Sequence, residues 1–194
     1  MTLKNYLPYD GIVEDYGTIF SQQDAADWFA YLQHQLPWQA DEVRIYGKHH
    51  VLKRLVVWYG DAGQNYQYSG IERIALPWSD AMLQLKHYIE QLTQSQFNSC
   101  LANFYPSGNE GMGWHSDDDM SLASETTIAS LSFGASRKFY LRHKQSQEKV
   151  SLALNSGQLI VMRGTTQQHW QHQIPKMLRV HEPRINLTFR QFVL

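Results

Sequence analysis

Arg184-Ile-Asn-Leu-Thr-Phe-Arg190 decides the architecture of this chain. Successive side chains of an extended strand point to opposite faces. Arg184, Asn186, Thr188 and Arg190 therefore share one face, and Ile185, Leu187 and Phe189 share the other. The apolar face needs a hydrophobic layer against it. The polar face has two readings: it meets water at a sheet edge, or it lines a barrel interior. Two guanidinium groups inside a barrel are costly unless anions pair with them. The second reading asks for an enclosed carboxylate ligand.

The same texture repeats upstream. Asn98–Tyr105, Thr127–Phe133, Lys138–Arg142, Lys149–Leu154 and Gln158–Met162 alternate or run apolar, as does the last stretch out to Val193. Pro-Ser-Gly, Phe-Gly and Asn-Ser-Gly turns punctuate them. Many short strands at modest spacing predict a sandwich or barrel. A further strand pair is expected at Glu42–Tyr46 and Arg54–Tyr59. Ser21-Gln-Gln-Asp24 resembles a capping box and opens a stretch bearing Trp28, Phe29, Tyr31, Leu32 and Leu36, which predicts an amphipathic helix stopping near Pro37. Ser79 caps a second helix, with Met82, Leu85, Ile89 and Leu92 on one face. The fold class is mainly β with flanking helices (α+β). At 194 residues one domain is expected, with helices and hairpins over 1–96 and a strand core over 97–194.

Chemistry concentrates around this framework. His115-Ser116-Asp117 places an imidazole and a carboxylate two residues apart, on one face of extended backbone, and His172 follows in the context His172-Gln-x-Pro175. Two imidazoles and a carboxylate can hold one face of a ferrous ion and leave positions open for a chelating co-substrate and dioxygen. His143, His169 and His181 stand outside this set and read as structural. Cys100 is the only cysteine, so an internal disulfide and a thiolate zinc cluster are excluded. It lies in an apolar stretch and reads as a core residue.

Composition narrows the partners. The net charge of −1 is not the footprint of a protein that binds nucleic acid by bulk charge. Its distribution is uneven. Residues 1–30 set Lys4 against five acids, a net of −4, whereas residues 137–149 set Arg137, Lys138, Arg142, Lys144 and Lys149 against Glu148, a net of +4. The second segment is either a basic strip along a backbone-binding groove or a set of solvated charges. No apolar run approaches the roughly 20 residues that span a bilayer, and the N-terminus lacks a secretory signal pattern. No membrane partner, a cytosolic location, no recruiting N-terminal arm and a monomer by default are the expectations.

Asn103-Phe-Tyr105, His115-Ser-Asp117, Ile128-Ala-Ser-Leu-Ser-Phe-Gly134, His172 and Arg184-Ile-Asn-Leu-Thr-Phe-Arg190 together resemble the AlkB family of Fe(II)- and 2-oxoglutarate-dependent dioxygenases, in particular its branch that repairs alkylated bases in DNA. The likeness runs from about Val43 to the C-terminus and includes Trp58-Tyr-Gly-Asp61 and Tyr66-Gln-Tyr-Ser-Gly70. It implies a double-stranded β-helix, or jelly-roll barrel, with N-terminal helices and a substrate-recognition hairpin. It implies His115, Asp117 and His172 as iron ligands. Asn103, Tyr105, Arg184, Asn186 and Arg190 would hold 2-oxoglutarate, the two planar guanidinium forks suiting its two carboxylates. Iron, 2-oxoglutarate and O2 would oxidise an N-methyl group on a base such as 1-methyladenine or 3-methylcytosine, releasing formaldehyde, succinate and CO2.

The resemblance also implies how the base is held. A base inside a duplex must swing out of the stack to reach the metal. Tyr68 and His115 would sandwich it, with Tyr66 nearby. Asp118 would accept hydrogen bonds from its exocyclic amine, or else belongs to a solvated acidic turn. Tyr46 would be the wedge that fills the vacated position, with Lys48, Lys53 and Arg54 on phosphates; the bland alternative is an ordinary hairpin with an exposed aromatic. DNA, single- or double-stranded, is the expected partner. RNA or a protein side chain is the alternative substrate, and a catalytically silent nucleic-acid binding module the alternative class.

Overall fold

A computed structural model describes residues 3–45, 48–61, 65–68, 71–117 and 126–192, with backbone alone at 43–45, 48–50, 65–68 and 71–73. In chain order the elements are β1 (Ile12–Thr18), α1 (Gln22–Gln35), β2 (Gln39–Ile45), β3 (Lys48–Gly60), β4 (Asn65–Tyr68), β5 (Ile71–Ile74), α2 (Asp80–Thr93) and β6 (Ser99–Tyr105). There follow β7 (Met112–His115), β8 (Ile128–Gly134), β9 (Arg137–His143), β10 (Lys149–Leu154), β11 (Gln158–Arg163), α3 (Thr166–His169), β12 (Trp170–Ile174) and β13 (Arg184–Arg190). Both long helices begin where the capping residues place them. Ser21 accepts the Asp24 amide and Ser79 the Met82 amide, each satisfying a donor that the first helical turn leaves over.

The strands form a seven-stranded sheet in the order β1-β11-β8-β13-β6-β3-β2, a four-stranded sheet β10-β9-β12-β7 and a separate β4-β5 hairpin. The pairs within both large sheets are antiparallel. The major sheet draws strands from both sides of residue 97. Two hydrophobic layers result. Ile185, Leu187 and Phe189 join Ala129, Leu131 and Phe133 of β8 against Leu32, Met82, Leu85 and Ile89 of the two helices. On the other side, Ile128, Ile160 and Met162 of the major sheet pack against Phe139, Leu141, Leu152, Trp170 and Ile174 of the minor one. Two antiparallel sheets closing over a shared interior, with helices covering one outer face, make the jelly roll.

β13 settles the question its sequence posed. It lies between β8 and β6, with paired strands on both sides, and its polar face looks into the barrel. Arg184 is 0% exposed and Arg190 9%. The sheet-edge reading is overturned.

Five strands escape the periodicity argument: β1, β4, β5, β7 and β12. β12 is the instructive one. Its inward residues are Trp170, His172 and Ile174, and with the imidazole counted as polar the alternation disappears. β7, Met112-Gly-Trp-His115, is too short and too exposed to show a pattern. The two undetected strands of the minor sheet carry the histidines of the candidate site.

Candidate metal centre

β7 and β12 run antiparallel with His115 directly opposite His172, so that their rings approach to a centroid distance of 4.2 Å. Asp117 follows just beyond the end of β7. Its amide donates to Gln167 Oε1 (2.8 Å), and the neighbouring Ser116 hydroxyl donates to the Trp170 carbonyl (3.0 Å). These two bonds fix the backbone after β7 against α3 and β12. The ligand atoms of His115, Asp117 and His172 all fall within 4.8 Å of one another.

The protonation of each group suits a cation. His115 Nδ1 lies 2.8 Å from the Gly113 carbonyl, which can only accept, so Nδ1 carries the proton and Nε2 keeps its lone pair. That Nε2 is 3.9 Å from Asp117 Oδ1. His172 is 7% exposed; burial, reinforced by His115, pushes its pKa down to about 3, so it is neutral at pH 7. Burial alone would raise the Asp117 pKa. Arg190 and the two imidazoles outweigh it and hold this carboxyl well below the usual range. Arg190 donates through Nη2 (2.8 Å) and Nε (3.3 Å) to Oδ2, leaving Oδ1 on the histidine side.

Beyond the triad the barrel wall is built for an anion. Strand register sets Arg184 opposite Tyr105 and Asn186 opposite Asn103. On the other flank, β8 turns Ser130 and Ser132 inward. Ser130 takes a hydrogen bond from Asn186 Nδ2 (2.9 Å) and Ser132 one from Arg184 Nη2 (2.9 Å). Arg184 Nε and Nη1, and Asn103 Oδ1, have no hydrogen-bond partner among the described residues. A buried donor left unmet costs about 1–3 kcal/mol, more when charged. Desolvation lowers the Arg184 pKa to about 10, which still leaves the group cationic at pH 7. A carboxylate answers those unmet donors. Arg190 touches the metal ligand Asp117, whereas Arg184 stands six residues earlier, at the other end of the same strand. The two arginines serve opposite ends of the cavity.

The remaining expected site residues divide. Lys53 is exposed on β3. Arg54 is not: it is 4% exposed and ion-paired with Asp41, itself 1% exposed, and its Nη1 reaches Met112 Sδ. Burial lowers its pKa, but Tyr105 and Asp41 more than offset this. A guanidinium so enclosed is a strut at the base of the β2–β3 hairpin, and its expected role as a phosphate contact is withdrawn. Tyr46 and Asp118 lie outside the described residues, as do the side chains of Lys48, Tyr66 and Tyr68.

Arg137 also departs from expectation. The sequence counts it in a basic strip, yet it is 1% exposed and points into the barrel. Arg142 stays on the outer face of the minor sheet, its guanidinium 4.3 Å above the Trp114 ring. Cys100 is fully buried, and burial raises its thiol pKa, as expected of a core residue.

Asp10, His143 and His169 form a second group with ligand atoms in close proximity. Here the tautomer is the reverse. His143 Nδ1 accepts the Ser146 amide (3.1 Å), which places the ring proton on Nε2, facing Asp10 at 3.3 Å. A protonated Nε2 has no lone pair for a metal, and His143 remains a structural residue stacked on His169.

A jelly roll that brings two imidazoles and one carboxylate beside a cationic wall defines the class: a non-haem iron enzyme that uses a 2-oxo acid. Residues 14–190 match the 2OG-Fe(II) oxygenase superfamily, and the chain belongs to it, within the AlkB dioxygenases. The DNA oxidative demethylase ALKBH2 of Mus musculus is 35% identical over 97% of this chain and 83% of that protein. The human ALKBH2 is 35% identical over 95% of this chain and 75% of that protein. The Alpha-ketoglutarate-dependent dioxygenase alkB homolog 3 of Bos taurus is 44% identical over 71% of this chain and 51% of that protein. A crystal structure of a 2OG-Fe(II) oxygenase family oxidoreductase from Burkholderia pseudomallei superimposes with a TM-score of 0.60 at 18% identity, covering 94% of this chain and 85% of that one. Fe(II), 2-oxoglutarate and O2 are the cofactors that membership implies, and the chemistry of the donor set fits them.

Proposed function

We propose that this enzyme removes alkyl groups oxidatively from ring nitrogens of DNA bases, in the repair of alkylation damage. The observation that carries the reading is that likeness to a DNA oxidative demethylase extends over 97% of the chain, and so takes in the β2–β3 and β4–β5 hairpins as well as the barrel. Iron, 2-oxoglutarate and dioxygen, when bound, would supply the oxidation that hydroxylates an N-methyl carbon, which then leaves as formaldehyde.

The chain's own residues do the rest. His115 Nε2, His172 and Asp117 Oδ1 would hold the metal; Arg190 keeps Asp117 ionised and turns its second oxygen away. Arg184, Arg190, Tyr105, Asn103 and Asn186 would hold the co-substrate. Tyr68 and His115 would stack the extruded base, with Tyr66 beside it, and Asp118 would accept from its exocyclic amine. Cationic bases such as 1-methyladenine and 3-methylcytosine suit an anionic acceptor. Tyr46 would fill the gap left in a duplex, with Lys48 and Lys53 on phosphates.

Iron-loaded protein incubated with 2-oxoglutarate, ascorbate, air and methylated oligonucleotides tests this by mass spectrometry of the products. Loss of one CH2 per lesion, dependent on both iron and 2-oxoglutarate, is expected from DNA. Repair of the RNA oligonucleotide alone would move the substrate to RNA. Succinate with no change in any oligonucleotide would move it to another substrate class. Tyr46→Ala should reduce duplex repair more than single-strand repair; equal loss removes the wedge.

A further inference from the structure

Arg137 is a buried cation that the metal triad and the arginines of β13 leave unexplained. It opens β9 and is 1% exposed. Its Nη1 donates to the Ser107 carbonyl (3.2 Å), and its Nη2 donates to the carbonyls of Glu110 and Pro175 (both 2.7 Å). Three backbone carbonyls from two loops thus converge on one planar fork, a geometry that an ammonium on a flexible stem does not reproduce.

Those loops are the ones that matter for the site. Residues 106–111 connect Tyr105, at the end of β6, to β7 and His115, while residues 175–180 follow β12 and His172. They are pressed together: a side chain at Gly108 would collide with the Met177 carbonyl, and one at Gly111 would meet the Ile174 carbonyl at 2.6 Å. Gly108 and Met177 also exchange backbone hydrogen bonds with this partner loop, from Gly108 to Val180 and from Met177 to Gly108 (both 2.8 Å). Arg137 closes the seam from inside the barrel.

Its guanidinium also reaches the co-substrate wall. The Arg137 carbon lies 5.8 Å from the centroid of the Tyr105 ring, and the Arg184 carbon 5.4 Å from the same centroid. Two guanidinium groups thus lie over the Tyr105 ring, one donating its fork to the loop seam and one with two donors unmet. Arg54 is a third cation beside this tyrosine. Arg137 Nε has no partner of its own among the described residues.

We infer that Arg137 is a positioning residue for the end of the 2-oxo acid remote from the metal: it fixes Tyr105 and, through it, the cradle in which Arg184 takes the distal carboxylate. The inference rests on the assignment of Arg184 and Tyr105 to the co-substrate. Substitution should therefore impair recognition of a dicarboxylate and spare recognition of the oxo acid at the metal end.

Calorimetric titration of the anaerobic, Mn(II)-loaded protein separates these possibilities, with 2-oxoglutarate and the monocarboxylate 2-oxobutanoate as paired probes. In Arg137→Lys, 2-oxoglutarate should bind roughly tenfold more weakly, the scale of losing an outer supporting contact, whereas 2-oxobutanoate and Mn(II) bind as in the wild type. Arg137→Gln, checked for folding by circular dichroism, should show the same selective loss. Unchanged 2-oxoglutarate affinity in either folded variant overturns the inference. Equal loss for both oxo acids also overturns it and reduces Arg137 to a loop staple. A wild-type protein with no preference for the dicarboxylate sinks the Arg184 assignment itself, which the variants alone would not reveal.

Discussion

The two faces of β13 share one backbone and one register, yet they do opposite work. Ile185, Leu187 and Phe189 are each 0% exposed in a layer shared with α1, α2 and the apolar face of β8. A side chain of this kind stabilises the fold by about 1.5–3 kcal/mol when fully buried, and it needs only neighbours of suitable shape. Arg184 and Arg190 are nearly as deep on the barrel side and Asn186 is half-buried, but they gain little from depth. They depend on Ser130, Ser132 and Asp117 for partners, and Arg184 is left with two donors unmet. One face is complete in itself. The other is complete only with ligands, and the energy it forgoes in the free protein is available to hold them.

Substitution at the metal end should break the contrast most severely. Asp117→Ala removes a metal ligand and the partner of Arg190 together. Iron-dependent turnover of 2-oxoglutarate should fall to background while the far-ultraviolet circular dichroism spectrum persists. Normal turnover would refute the ligand assignment.

A matched pair on β13 sharpens it. Leu187→Ala should lower the unfolding free energy by about 2–5 kcal/mol and leave the KM for 2-oxoglutarate unchanged in the protein that remains folded. Arg190→Ala should do the reverse: KM rises by roughly tenfold or more, the scale of one lost charge-assisted hydrogen bond, with a smaller change in chemical denaturation. If both variants shift both quantities alike, the two faces are not separable.

The sequence shows one face of this strand more fully than the other. Apolar positions at period two, and capping serines before amphipathic stretches, are local signals. They place both long helices and six of the strands close to their observed bounds. The polar face is legible as a pattern but not as an environment, because an edge strand and a barrel interior look the same until neighbours are known. β7 and β12 carry histidines where a core strand would carry hydrophobes, so the chemistry itself erases the pattern that would reveal them. Arg54 and Arg137 show the same blindness: a buried arginine paired with Asp41 or with backbone carbonyls reads, in a linear sequence, as a surface cation. The Ser130 and Ser132 hydroxyls that satisfy Asn186 and Arg184 become meaningful only once register aligns β8 with β13.

The smallest expected effect concerns pH, and it isolates a single group of the polar interior. His172 is buried with its pKa pushed down to about 3 from an ordinary 6.5. As pH falls below 6.5 the unfolded chain takes up a proton at this position and the folded chain does not, so folding stability declines until the pH nears 3. Asp117 behaves differently. Its pKa is lowered from 3.8, so its contribution is present above that value and is lost only in stronger acid. Between pH 6.5 and about pH 5 the His172 contribution therefore stands apart from that of Asp117. Metal-free protein, prepared with a chelator, should melt at a lower temperature at pH 5 than at pH 6.5. In His172→Asn, which has no group to protonate there, that slope should be shallower. Parallel slopes in the two proteins would mean that the buried imidazole is already protonated in the fold, and that the neutral ligand assigned to the metal-free site is wrong.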